Sequence, residues 1–237
     1  MPGASSAEFY VHWWQRFRVL WPAKLRLTAI VTVLFWGCYL FLSRHALFPI
    51  HPLPMMWLDK WAGFQPHPWA WVYESIFLLT SVIPWLMVSR EELRRYVTGF
   101  ALLSGVCFVV FALFPVASPR PANLEANAFL IFITRVDGPL NAFPSLHAGC
   151  LVYTLALASR LFGRGRSSIV AALLLVWAGL ILFSTLATKQ HYALDLLAGG
   201  LIGWAADRFA WRNSGCGDMA SASTPRKSGV VSQAGWR

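Results

Sequence analysis

The 237 residues are 57% hydrophobic and only 13% charged, with thirteen tryptophans and a formal charge of +10. That composition excludes an ordinary soluble domain and describes a chain whose surroundings are largely lipid. The basic excess does not indicate a nucleic-acid partner, because the charges are set out by position along the chain rather than gathered in one patch.

Residues 1–24 are expected to form a cytoplasmic and interfacial segment, since FYVHWWQRFRVLW at 9–21 mixes aromatic rings with Arg16 and Arg18 as boundary segments do. A hydrocarbon core takes about 20 apolar residues per helix. Six stretches meet that need: roughly Leu25 to Leu42, Trp69 to Val88, Val97 to Phe114, Pro144 to Phe162, Ile169 to Ala187 and Tyr192 to Trp211. The first is too long for the apolar core of a cleavable signal and is expected to remain as an anchor. Six apolar spans make the expected fold all-α, and fifteen of the twenty Lys and Arg fall on the side that carries both termini, which favours an even number of crossings. It is a polytopic membrane helical bundle of six transmembrane helices with both termini cytoplasmic. Residues 25–212 form its membrane domain, and 213–237, rich in Ser, Gly and Ala, form a disordered tail.

The loop after the first span is crowded with prolines and tryptophans and reads as an outer loop resting in the interface. Its His45, His51 and His67 have irregular spacing and make a weak metal site. Glu74, near the outer end of the second span, is expected to play a structural role. Gly199 and Gly203 form a Gly-x-x-x-Gly pair suited to close helix packing, with Gly200 beside them. Cys38, Cys107, Cys150 and Cys216 lie in separate segments and suggest no disulfide framework.

Ionisable groups at membrane depth are costly unless paired or set in a polar cavity. With the expected topology, Arg120, Ser145, His147, Lys189, His191 and Asp195 all lie near the outer face. In NAFPSLHAG, residues 141 to 149, Pro144 suits the first turn of a helix, whose unpaired amides and dipole favour an anion, with Ser145 as a further donor and His147 in the same turn. Taken alone, the stretch also fits a Ser145 cap with His147 packed against a neighbour. His191 and Asp195 stand four apart, so the carboxylate can orient one ring nitrogen and leave the other free. Two imidazoles, one as nucleophile and one as general acid, suit in-line displacement at phosphorus, with Arg120 and Lys189 neutralising the equatorial oxygens. Zinc held by His147, His191 and Asp195, or an ion path through a transporter, are the other chemistries these residue types allow.

SPRP ending at Pro121, PSLH from Pro144 to His147 and STLATKQHYALD from Ser184 to Asp195 resemble, in order and spacing, the three motifs KxxxxxxRP, PSGH and SRxxxxxHxxxD of the type 2 phosphatidic acid phosphatase superfamily. The resemblance implies a six-helix fold, His191 as a nucleophile forming a phosphohistidine, Asp195 as its orienting partner and His147 as the acid. It also implies phosphoryl-oxygen ligands at Arg120, Ser145 and Ser184, and no metal or other cofactor. Three positions depart: Leu113 stands for the Lys of the first motif, Leu146 for the Gly of the second and Thr185 for the Arg of the third. Lys189 is placed to compensate for one missing cation. The form AFPSLHAG with KQHYALDLLAG is closest to the branch containing inositol phosphorylceramide synthases. The expected activity is therefore a lipid phosphate phosphatase at the periplasmic face of a bacterial inner membrane, the alternative being transfer of a phospho-headgroup to a lipid or inositol hydroxyl. The expected partners are a membrane lipid phosphate and the bilayer.

Overall fold

The computed structural model describes residues 14–124, 127–162 and 168–212. Its elements in chain order are α1 (Trp21–Arg44), α2 (Trp57–Ala62), α3 (Pro66–Glu74), α4 (Ile76–Val82), a 3-10 turn (Ile83–Leu86), α5 (Arg90–Leu113), α6 (Ala128–Val136), α7 (Leu146–Phe162), α8 (Ser168–Ala187) and α9 (Ala193–Ala210), with no strand among the described residues. Helices therefore occupy all six apolar stretches. Four of them are long and apolar enough to cross a membrane: α1, the 66–86 stretch, α5 and residues 169–187 of α8. The 17 residues of α7 make it shorter, and α9 carries Asp195, Asp207 and Arg208 among its apolar residues. The disordered-tail expectation and residues 1–13 of the N-terminal segment lie outside the described residues.

The helix ends differ from expectation for local reasons. At α5, Ser89 and Glu92 form a reciprocal capping box: the Glu92 amide donates to Ser89 Oγ at 3.1 Å and the Ser89 amide to Glu92 Oε2 at 3.0 Å. The helix therefore starts at Arg90, ahead of the apolar run. The second stretch is broken at Ser75, whose hydroxyl donates to the Val72 carbonyl at 2.6 Å and accepts from the Trp177 indole at 2.8 Å. It tightens into the 3-10 turn at Pro84, which has no amide to donate. Pro144 is not in the first turn of α7, as its sequence context suggests. The helix begins at Leu146, and Ser145 precedes it with its hydroxyl accepting from the Ala148 amide at 3.3 Å, the N-cap pattern.

Two features bring the helix ends that carry the three motif segments together. First, α9 lies against α7 with no side chain between them. A β-carbon on Gly199 would stand 2.0 Å from the Ser145 carbonyl oxygen, and one on Gly203 2.3 Å from that of Gly149. The Gly-x-x-x-Gly pair thus works as expected. Gly200 has only Val152 Cγ2 near it, at 3.6 Å. At the opposite ends of the same helices Arg160 pairs with Asp207 at 2.5 Å and lies over the Trp211 ring. Second, three loops pair through their backbones, Val116 bridging in parallel to both His51 and Asn141. The bonds run from the His51 amide to Pro115 at 2.9 Å and from the Ala142 amide to Val116 at 3.2 Å. That pairing seats the segments before Arg120 and before Ser145 side by side. In the loop between α1 and α3, α2 exposes Trp57 and Trp61. Cys38, Cys107 and Cys150 are free thiols.

Candidate active site

His191 sits on a tight turn between α8 and α9. The amides of Gln190 and His191 both donate to the Thr185 carbonyl, at 3.0 and 3.3 Å, and the Thr188 amide to Ser184 at 2.9 Å. Reversing direction this sharply puts Lys189 at a φ of 55°, a left-handed conformation that a non-glycine residue holds only where its surroundings insist. The Lys189 ammonium donates to the Asp59 carbonyl. The Asp59 carboxylate in turn accepts from the Ala193 amide at 2.8 Å and the Met56 amide at 2.7 Å. One buried aspartate thus ties the loop that carries α2 to the start of α9. Burial lowers the Lys189 pKa below the ordinary lysine value, with the Asp59 charge opposing the shift.

The His191 ring is held by two oxygens and faces a second ring. Its Nδ1 lies 3.2 Å from the Ala142 carbonyl and 3.3 Å from Asp195 Oδ2. Both of these partners accept, so Nδ1 carries the hydrogen and Nε2 of the neutral ring carries the lone pair. Nε2 lies 3.1 Å from His147 Nδ1. Since Nε2 has only a lone pair to offer, His147 Nδ1 is the donor in that contact. The His147 ring is stacked on Tyr73, with centroids 4.5 Å apart and planes at 29°. Asp195 Oδ2 also accepts from the Tyr192 amide at 2.9 Å, which fixes the carboxylate, and its Oδ1 has no partner among the described residues.

Ser145 is fully buried next to this pair, and its amide donates to the Asp195 carbonyl at 3.0 Å. That amide is therefore used in joining α7 to α9 and is not available to an anion. The hydroxyl accepts from Ala148 and keeps its hydrogen to donate. Arg120 reaches the site from the loop after α5. Its Nη1 donates to the Asp137 carbonyl at 2.8 Å, its Nη2 pairs with Asp137 Oδ2 at 3.3 Å, and its buried Nε has no partner among the described residues. Its charge lies close enough to act on His147.

Of the residues expected at the site, the structure brings His147, His191, Asp195, Ser145 and Arg120 together. It does not bring Ser184 or Lys189 to the histidines: the Ser184 hydroxyl donates to Ile181 at 2.6 Å within its own helix, and Lys189 goes to Asp59. Four residues were missed by sequence reasoning. Asp137 holds Arg120, Asn141 donates to Asp137 Oδ1 at 3.0 Å, Tyr39 reaches both, and Tyr73 backs His147 with a buried hydroxyl that has no partner among the described residues. Asp137 was the most findable, as an acidic residue in the loop between two motifs. Glu74 lies within electrostatic reach of Asp137 and Tyr73. Among the described residues no group of three His, Cys, Asp or Glu is placed to hold a metal ion, and His45, His51 and His67 do not converge.

This arrangement, a lone pair backed by a carboxylate, a facing N–H and a partly unsatisfied guanidinium, can pass a phosphoryl group. A family model described as the PAP2 superfamily matches residues 42–208, more than two thirds of the chain and all three motif segments. No curated protein and no solved structure matches the chain.

Proposed function

The chain belongs to the PAP2 superfamily, the type 2 phosphatidic acid phosphatase superfamily, and on that premise we propose that it is an integral-membrane lipid phosphate phosphatase working through a phosphohistidine on His191. The observation that carries this reading is the 3.1 Å contact between His191 Nε2 and His147 Nδ1, with Asp195 behind His191. A phosphate monoester entering between the rings replaces their mutual hydrogen bond. Nε2 attacks phosphorus, the bond from phosphorus to the lipid oxygen breaks, and His147, held as the imidazolium by the bound phosphate dianion, gives its Nδ1 hydrogen to that oxygen and is left neutral with a hydrogen on Nε2. Water then attacks the phosphohistidine as His147 takes its proton, which releases phosphate and restores both rings. Arg120 and the Ser145 hydroxyl hold the non-bridging oxygens. Asp137 aims the guanidinium, and Ser184 and Lys189 hold the turn that carries His191.

The proposal includes the topology that places this chemistry: six crossings, both termini cytoplasmic and the histidines at the outer, periplasmic end. The charge distribution supports it, as does the separation of Arg160 and Asp207 from His147 by the length of α7. The test is purified protein incubated with a panel of phosphorylated lipids, with and without an alcohol acceptor. The expected result is inorganic phosphate release that persists in chelator and is blocked by orthovanadate. Product that forms only with the alcohol present assigns the protein to transfer instead. Loss of activity in chelator contradicts the metal-independent mechanism, and ion flux with neither product contradicts the enzymatic reading.

A further inference from the structure

Between α1 and the rest of the bundle lies a cleft that the catalytic chemistry does not use. The buried residues of α1 are Lys24 at one end and Tyr39, Leu42 and Ser43 at the other; none of residues 25–38 is buried. The helix is thus pinned at both ends, and in between it meets the bundle through partly buried side chains, among them Phe35, whose ring centroid lies 5.5 Å from that of Phe100. The space behind it is a cavity of about 240 Å³ whose walls include Val31 and Phe35 of α1, Phe77 of α4 and Phe100 of α5. His147 and Leu146 line it as well, and so does Lys24. The fifteen residues from Tyr39 to Lys24 correspond to about 22 Å along the helix axis. Lys24 closes the far end, its ammonium donating to the carbonyls of Arg16 at 2.7 Å and Trp85 at 2.5 Å.

We propose that this cleft receives the hydrocarbon chain of the phosphorylated substrate, which descends from His147 between α1, α4 and α5 toward Lys24, so that the cleft measures chain length. The proposal rests on the functional reading above, because His147 is the wall shared by cleft and site. Three observations commit it to this occupant. The cleft is continuous with the phosphate site, its middle is lined mainly by aliphatic and aromatic side chains, and its length suits one extended chain of about 17 carbons, at roughly 1.3 Å per methylene. Thr28 and Thr32, exposed on α1 along the same cleft, leave its side open to the bilayer, from which a chain can enter sideways.

The test uses the full-length protein with alkyl phosphates of 8, 12 and 16 carbons at equal mole fraction in mixed micelles. Val31→Trp, placed halfway down, is expected to lower kcat/KM for the 16-carbon substrate by about tenfold or more while leaving the 8-carbon one within about twofold. Thr28→Trp, one turn deeper, is expected to spare the 12-carbon substrate as well. Losses that are equal at all lengths, or absent at all lengths, in variants that fold by thermal unfolding overturn the proposal. A second arm needs neither variant nor turnover: a 16-carbon phosphate carrying a diazirine at its far end is expected to label residues 24–32 after illumination, in His191→Ala as in the unaltered protein. Labelling scattered over the helices, or matched by the same probe without its phosphate, overturns the proposal. Labelling at 24–32 without phosphate release from any substrate leaves the cleft standing and overturns the enzymatic reading.

Discussion

Replacing His191 by alanine is expected to lower phosphate release by about 10⁴-fold or more while the protein remains folded. The loss follows from a single atom. Nε2 is the lone pair that Asp195 and the Ala142 carbonyl orient toward the facing ring, and no other described side chain stands between them to take its place. The substitution leaves Asp195 bonded to the Tyr192 amide, so the turn keeps its cap. The stability cost is that of one lost polar contact set, about 1–3 kcal/mol. Initial rates on a lipid phosphate alongside a thermal unfolding curve check both halves. A His191→Ala protein that is folded and fully active contradicts the assignment of the nucleophile.

The second large effect is expected far from the reacting atoms, at Gly199. An alanine there puts a methyl 2.0 Å from the Ser145 carbonyl oxygen, 2.8 Å from its carbon and 3.1 Å from its nitrogen. These are backbone atoms at the start of a helix and cannot swing aside as a flexible side chain would. α7 must move away from α9, taking Ser145 and His147 with it, while His191 stays with the turn that leads into α9. The expected outcome is a destabilisation of about 2–3 kcal/mol and a rate loss of about 10²-fold, the latter because a displacement near 1 Å is enough to spoil an aligned attack. Gly200→Ala is the control, since its nearest outside neighbour is Val152 Cγ2 at 3.6 Å. There the helix-propensity gain of alanine leaves stability equal or better. Equal activity in the two variants contradicts the close approach of α7 and α9.

Why some of this was legible in the sequence and some was not comes down to the range of the interaction involved. The helices on the six apolar stretches were visible because lipid imposes a run of apolar residues that a single stretch of chain satisfies by itself, whereas the short α2 and α6 fall outside those stretches and were not. Helix ends depend on neighbours a few residues away. The box Ser89 and Glu92 starts α5 at Arg90, and the Ser145 hydroxyl caps α7, moving its start past Pro144. The first is written in the sequence as Ser-x-x-Glu, a few residues ahead of the apolar run. The pairing of His191 with Asp195 was legible in their spacing of four, but not its geometry: His191 stands on the turn ahead of α9 and meets Asp195 Oδ2 at 3.3 Å from there rather than along a helical face. Contacts over long separations left no such trace. Lys189 looks like a cation for phosphate until Asp59, 130 residues earlier, takes its ammonium. Nothing around Tyr73 marks it as the ring beneath His147. Asp137 becomes the partner of Arg120 only once the loop between them has closed.

The central claim is that phosphorus bonds to Nε2 of His191 during turnover. The most direct measurement is an acid-sparing quench of the working enzyme with ³²P-labelled lipid phosphate, followed by peptide mapping of the labelled site. The account predicts an acid-labile, alkali-stable label on His191, missing from His191→Ala and formed fast enough to lie on the path to free phosphate. A label on His147 or Ser145 instead, or turnover in which no labelled protein forms at any time point, would contradict it.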